Sequence, residues 1–248
     1  MIYFSCNGHH LVTKHKIAST SLKKVFENNK DFTIITKRNI MFLDYENFQK
    51  DSFSVVVRNP YERYLSGLVE VLTRAPFYTK LEHLKNIKFT TKHLEDVLKV
   101  VRKDYSFGND THVENWLDFV LVLICKGIDV EIIDLNDLNN WIEQKYSIQL
   151  PKVHSKPKHV LNVIDSVIKD TELFELHDYY LLSETNIYNW LTSENFKKMS
   201  LKDKQTKARD LLTETINNLF GHELLTKLHS KSLEQKLDFI KYVLKETE

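Results

Sequence analysis

Phe53-Ser54-Val55-Val56-Val57-Arg58-Asn59-Pro60-Tyr61-Glu62-Arg63-Tyr64-Leu65-Ser66-Gly67 carries the passage from strand to helix that decides the fold class. Phe53 to Val57 is a nearly continuous apolar run, which suits a strand buried on both faces. Asn59 then caps a helix, and Pro60 takes its first position, where the missing N–H costs nothing. Tyr64, Leu65, Leu68 and Leu72 fall on the inward stripe of that helix. Arg58 therefore stands at the carboxyl end of a buried strand, the edge where open α/β sheets bind ligands. Its planar fork suits phosphate. Ser66, two turns into the helix, is a small polar residue on an otherwise apolar element. The plainer alternative is that Arg58 pairs with a nearby carboxylate and Ser66 relieves packing.

Working outward, His10 to Thr13, Phe32 to Thr36 and Val130 to Leu135 read as further strands. Helices are predicted over about Thr20 to Asn28, Leu94 to Lys103, Val113 to Lys126 and Asp137 to Tyr146. Beyond Pro157 the pattern is helical throughout. Gly221 suits the end of a helix that begins near Ser200, and Ser232-Leu233-Glu234-Gln235 resembles a capping box opening the last one. Strands alternating with helices, followed by helices alone, predict an α/β fold: a central parallel sheet flanked by helices, with a helical C-terminal part. No internal repeat or linker divides the chain. Residues 1–248 read as one domain, with an α/β core over 1–160 and a helical extension over 161–248.

Bulk composition narrows the function. With 35 basic and 34 acidic side chains the net charge is +1, which disfavours a nucleic-acid coat or a polybasic membrane anchor. Any anion site must come from local placement of charge. Two cysteines, Cys6 and Cys125, make no disulfide framework and carry no metal-ligand spacing. His9 and His10 lack a third ligand at a convincing spacing, so no metal is expected. The opening residues Met1 to His10 are too short and polar for a signal peptide, and Phe119 to Cys125 falls far below the ~20 residues that span a bilayer. A soluble, cytoplasmic protein with no membrane span and no nucleic-acid partner is expected.

The second segment of interest is Lys14-His15-Lys16-Ile17-Ala18-Ser19-Thr20-Ser21-Leu22-Lys23-Lys24. A strand ends in a loop, and three hydroxyl residues sit where a helix begins. The first N–H groups of a helix have no internal partner and lie at the positive end of its dipole, which makes a ready anion site. Lys16 adds a full charge. An ordinary Ser/Thr cap beside solvated lysines is the alternative.

Taken together, the two segments resemble the paired nucleotide-binding elements of sulfotransferases that use 3′-phosphoadenosine 5′-phosphosulfate (PAPS), closest to the carbohydrate sulfotransferase branch. In that family the first element runs proline, lysine, any residue, alanine or glycine, any residue, then two hydroxyl or amide residues and leucine or tryptophan. Here it is His15-Lys16-Ile17-Ala18-Ser19-Thr20-Ser21-Leu22, with histidine in place of proline. The second element is arginine, aspartate or asparagine, proline, two residues, arginine, two residues, serine. Arg58-Asn59-Pro60-Tyr61-Glu62-Arg63-Tyr64-Leu65-Ser66 matches it at every specified position. The late Arg-Lys-Gly element of many small-molecule sulfotransferases is not evident. The motif resemblance covers about the first seventy residues, and the helical tail takes no part in it.

The resemblance implies a P-loop-like sulfotransferase fold and transfer of a sulfonate group from PAPS to an acceptor hydroxyl, with adenosine 3′,5′-bisphosphate (PAP) as product. It implies that Lys16, Ala18, Ser19, Thr20, Ser21 and Leu22 bind the 5′-phosphosulfate, with Lys16 at the bridging oxygen, and that Arg58 and Ser66 hold the 3′-phosphate. A weaker echo, Asn109-Asp110-Thr111-His112-Val113-Glu114-Asn115-Trp116, makes His112 the candidate base for the acceptor proton. Trp116 follows later than in the family, and the Pro-Gln that accompanies it there is missing. A hydroxyl-bearing small molecule or glycan is the acceptor that the resemblance implies. The basic stretch Leu150 to His159 reads as a solvated loop, and Tyr179, Tyr180, Tyr188 and Trp190 read as core or cleft aromatics. Two alternatives stay open: a sulfotransferase-like domain that binds nucleotide or glycan without turnover, and a P-loop kinase. The second would need a glycine-rich phosphate loop, and Lys14 to Leu22 contains no glycine.

Overall fold

A computed structural model describes residues 2–14, 17–36, 51–74, 116–151, 161–162, 165, 173–221 and 231–246. The chain order is β1 (Ile2–Cys6), β2 (His9–Thr13), α1 (Ser19–Phe26), β3 (Thr33–Thr36), β4 (Ser52–Val57) and α2 (Pro60–Arg74). It continues with α3 (Leu117–Cys125), β5 (Val130–Asp134), α4 (Leu138–Tyr146), α5 (Leu173–Leu191), α6 (Glu194–Lys198), α7 (Leu201–Gly221) and α8 (Lys231–Glu246).

The five strands form one mixed sheet in the order β3-β1-β2-β4-β5. β2, β4 and β5 are parallel, whereas β1 runs antiparallel to both β2 and β3. The expected central parallel sheet is parallel in part, over β2, β4 and β5. The reason lies at the start of the chain, where the sequence pattern gave no strand over Ile2–Cys6. Asn7 (φ 48°) and Gly8 (φ 74°) form a two-residue turn with both residues left-handed, the geometry that matches strand twist and folds β1 back on β2. A Cβ on Gly8 would meet the Asp51 carboxylate at 3.3 Å. The chain leaving α1 then enters β3 on the far side of β1, so the first crossover from β2 back to a parallel neighbour is completed only at β4.

Register partners point to the same face of the sheet, which sorts the side chains into rows. One row runs Ile34, Phe4, Leu11, Ser54, Glu131, changing from apolar to polar toward the β5 edge. α1 and α4 cover this face: Phe26 meets Phe4 at 5.1 Å between ring centroids, and Trp141 meets His9 at 6.0 Å. The next row, Ile35, Tyr3, Val12, Val55, Ile132, belongs to the opposite face. There Tyr3 makes an edge contact with Phe119 of α3. All nine residues of α3 are buried, which explains a helix that is apolar at every position but Asp118. α5, α7 and α8 complete the layer around it, with Ile187, Leu191, Leu211, Leu212, Ile240 and Val243 in the common core.

Most element boundaries fall within two residues of those expected from sequence. The last helix already includes Lys231, so Ser232 lies within it rather than capping it. The helix expected over Leu94 to Lys103 lies outside the described residues. No described helix is long and apolar enough to cross a membrane.

Candidate functional site

Because β2 and β4 are adjacent and parallel, with Val12 opposite Val55, the loops after Thr13 and after Val57 leave the sheet at the same edge. After β2 the chain folds tightly. The Ile17 N–H donates to the Lys14 carbonyl at 3.1 Å, and the Thr13 hydroxyl donates to the Ile17 carbonyl. Lys14 itself is buried. Ala18 occupies the N-cap position of α1 in a left-handed conformation (φ 52°, ψ 7°), with no side-chain cap. The first turn closes with the Leu22 N–H on the Ala18 carbonyl at 3.0 Å. The helix therefore supplies no partner for the N–H groups of Ser19, Thr20 and Ser21. Ser19, Ser21 and Leu22 are buried and Thr20 is exposed. The ordinary cap considered from sequence is not what forms, since alanine stands at the capping position.

After β4 the expected cap does form. The Asn59 side-chain oxygen accepts from the N–H of Tyr61 (3.1 Å) and Glu62 (3.2 Å), and its carbonyl accepts from Arg63 N–H (3.0 Å). Arg58 is partly buried, with Nε 3.5 Å from Glu62 Oε2 one turn on. Burial draws its pKa below the usual value while Glu62 opposes the shift, and a guanidinium has margin enough to stay charged. Ser66 is buried two turns into α2. Three residues before it, Arg63 is fully buried and paired with the buried Glu184 of α5, Nη2 to Oε2 at 2.7 Å. The other oxygen of Glu184 accepts from the backbone N–H of Trp116 (3.1 Å) and Leu117 (3.4 Å) at the start of α3. The Tyr61 hydroxyl donates to Asp165.

β5 extends the same edge, its pairing prolonged by the Leu135 N–H on the Val57 carbonyl at 2.8 Å. Asp134 accepts from the Asn136 N–H (2.9 Å) and from the Tyr188 hydroxyl (2.5 Å). Burial, with that hydrogen bond and the charge of Asp134, pushes the Tyr188 phenol well above its usual value. A cavity of about 500 Å³ follows the outer edge of β5, lined among others by His9, Ser54, Glu131, Asp134, Lys145 and Phe196. None of Ala18, Ser19, Thr20, Ser21, Leu22, Arg58 or Ser66 lines it. The cavity adjoins this edge at Asp134 without reaching those residues.

At the amino end of the sheet, His9 anchors a polar network. Its Nε2 lies 2.9 Å from both Ser54 Oγ and Lys145 Nζ, and its Nδ1 lies 2.6 Å from the Tyr146 hydroxyl. Ser54 donates to Glu131 at 2.5 Å, and the Trp141 indole donates to the same carboxylate at 2.9 Å. With the Ser54 proton given to Glu131, Nε2 accepts from the Lys145 ammonium in one tautomer and donates to Ser54 in the other. Burial, with the nearby Lys145 charge, pushes the His9 imidazole down to about 4. His10, beside it in sequence, pairs with Asp51 at 2.8 Å on the opposite face.

No family model, no curated protein and no solved structure matches this chain. The site therefore rests on its own residues.

Of the residues singled out in the sequence, Ala18, Ser19, Thr20, Ser21, Leu22 and Arg58 lie on the two loops and helix starts that leave this end of the sheet, and Ser66 lies two turns into α2. Lys16 and His112 lie outside the described residues, as do Lys152 to His159. The side chains of Tyr179 and Tyr180 lie outside them too. Tyr188 and Trp190 pack partly buried against the core, and the Trp190 ring stands edge-on to Phe196. Sequence reasoning missed Glu184, which is one of three carboxylates on α5, with Glu175 and Asp178, and carries no local sign that sets it apart. It also missed the polar cluster of His9, Ser54 and Glu131, in which register aligns Ser54 with Glu131 and the His9 side chain reaches Ser54 from the next pair along β2 and β4.

Proposed function

We propose that this chain is a PAPS-dependent sulfotransferase that moves a sulfonate group to an acceptor hydroxyl, with a carbohydrate as the acceptor class. The observation that supports this best is the parallel pairing of β2 with β4. It sets a helix start with open N–H groups beside a strand that ends in arginine. A ligand with two separate phosphate groups on one nucleoside needs two such anion sites side by side. The donors suit that need: backbone N–H groups with Ser19, Thr20 and Ser21 for one phosphate, and Arg58 with Ser66 for the other.

In this reading the acceptor oxygen attacks sulfur in line while the S–O bond to PAP breaks, and negative charge grows on the departing phosphate. The α1 N–H groups stabilise that charge through hydrogen bonds and the helix dipole, and Lys16 supplies a full cation at the bridging oxygen. Arg58 and Ser66 fix the nucleotide through its 3′-phosphate and take no part in bond making. His112 receives the acceptor proton as the new S–O bond forms.

Isothermal titration with PAP tests the reading, on the wild type and on Arg58→Ala. Micromolar binding that collapses in the variant, with ATP and 5′-AMP much weaker, is the expected result and licenses a PAPS acceptor screen. Absence of PAP binding by the wild type overturns the proposal. Binding without transfer to any acceptor would leave a nucleotide-binding domain and remove the enzymatic part.

A further inference from the structure

We propose that Glu184 is a positioning residue that holds the 3′-phosphate helix α2 and the entry of α3 in fixed relation; this rests on the sulfotransferase reading above. Both Arg63 and Glu184 are withdrawn from water, with side-chain exposures of 0% and 1%. Burying two charges is costly, and apolar residues of similar volume often serve stability as well or better. The geometry points to what the charges accomplish. The two carboxylate oxygens are divided between elements, Oε2 to Arg63 on α2 and Oε1 to the first N–H groups of α3. α3 is buried along its whole length, so water cannot satisfy those amides, and a carboxylate there also complements the helix dipole.

The Arg63 end leads directly to the proposed phosphate site. The backbone N–H of Arg63 is bonded to the Asn59 carbonyl, next to Arg58, and Ser66 lies three residues on, over the same helix face. Fixing the guanidinium fork of Arg63 therefore sets the roll of α2 and the direction in which Arg58 and Ser66 present their donors. The other end of the carboxylate holds the Trp116 N–H at the entry of α3. One side chain thus ties the phosphate helix to the start of α3.

The test uses PAP as probe, read by titration calorimetry and by phosphorus NMR at a temperature where circular dichroism shows each variant folded. Glu184→Gln keeps the size and an acceptor for α3 but removes the negative charge of Glu184 beside Arg63. The expected result is PAP binding weakened about tenfold, a common strength of coupling between sites. The bound 3′-phosphate resonance should move toward that of free PAP, with the 5′-phosphate resonance unchanged. A purely structural role would lower the melting temperature and leave that resonance in place. Arg63→Lys keeps the charge but loses the fork, and decides the matter by the same two readouts should Glu184→Gln fail to fold. A folded variant whose affinity stays within about twofold and whose two resonances match the wild type overturns the inference. If the wild type itself fails to bind PAP, it is the functional reading that falls. If the wild type binds, Arg58→Ala does not, and the Glu184 and Arg63 variants are normal, only the positioning role falls.

Discussion

Arg58 and Glu62 face one another across a single turn of α2, Nε to Oε2 at 3.5 Å, with the glutamate largely in solvent and the arginine drawn inward. Such a pair is weak and easily exchanged for a stronger anion. Glu62 also adds negative charge beside the proposed phosphate position. Glu62→Gln should tighten PAP binding by roughly three- to fivefold at low salt, the scale of an exposed ion pair, and by less at high salt. Calorimetry at two salt concentrations checks this. A loss of affinity would mean that Glu62 orients the guanidinium rather than competing for it.

Ala18 holds a left-handed backbone at the mouth of α1. An L-residue with a Cβ pays roughly 1 kcal/mol for that region, and glycine does not. Ala18→Gly should therefore leave stability unchanged or raise it slightly, whereas Ala18→Val should lower it by more than 1 kcal/mol, about the strain of a β-branched residue there. Urea unfolding of the three proteins measures the difference. PAP affinity should follow the same order, since the left-handed residue sets where the open N–H groups point.

His9 gives the fold a pH dependence of defined sign. Lys145 and Tyr146 face it from α4, Ser54 from β4, Glu131 from β5, and His10 adjoins it on β2. Burial and the Lys145 charge hold the folded imidazole down at about 4, against 6.5 when exposed. Between those values the unfolded chain takes up a proton that the folded chain refuses. The stabilisation is complete above pH 6.5 and is lost as pH falls toward 4. Urea midpoints at pH 7, 5.5 and 4.5 should fall steadily in the wild type and less steeply in His9→Gln. Parallel slopes would mean that the carboxylates, not His9, govern acid unfolding.

The two cysteines should separate cleanly by reactivity. Cys125 is buried at the end of α3, and burial pushes its thiol up to about 11. Cys6 is partly exposed at the end of β1. A thiol reagent at pH 8 should label one cysteine in the native protein and both after unfolding, because the thiolate is the reacting form. Native labelling of Cys125 would show that α3 opens readily.

The parts of the fold legible in the sequence were those with a local cause. The β4 run and the Asn59-Pro60 helix start were readable because a buried strand and an N-cap each leave a signature in consecutive residues. β1 was not, because Ile2–Cys6 mixes apolar and polar residues, and its strand character depends on pairing with β2 and β3 on both sides. The Asn7-Gly8 turn was the overlooked sign. The site divides the same way. Arg58 and Ser66 stood within one motif, whereas Glu184 reaches Arg63 from 121 residues away, and spacing carries no record of such a contact.

The pairing order of the strands also separates the molecule in time. β1 and β2 meet across a two-residue turn, so that hairpin can close early and locally. The parallel neighbours cannot: His9 and Ser54 are 45 residues apart, and Ser54 and Glu131 are 77 apart. Loops of that size must close before β4 and β5 join, and contacts between distant residues slow folding. The edge where the two proposed phosphate loops leave the sheet exists only after that docking. A nucleotide bound there should scarcely alter the rate of refolding and should act as a brake on unfolding.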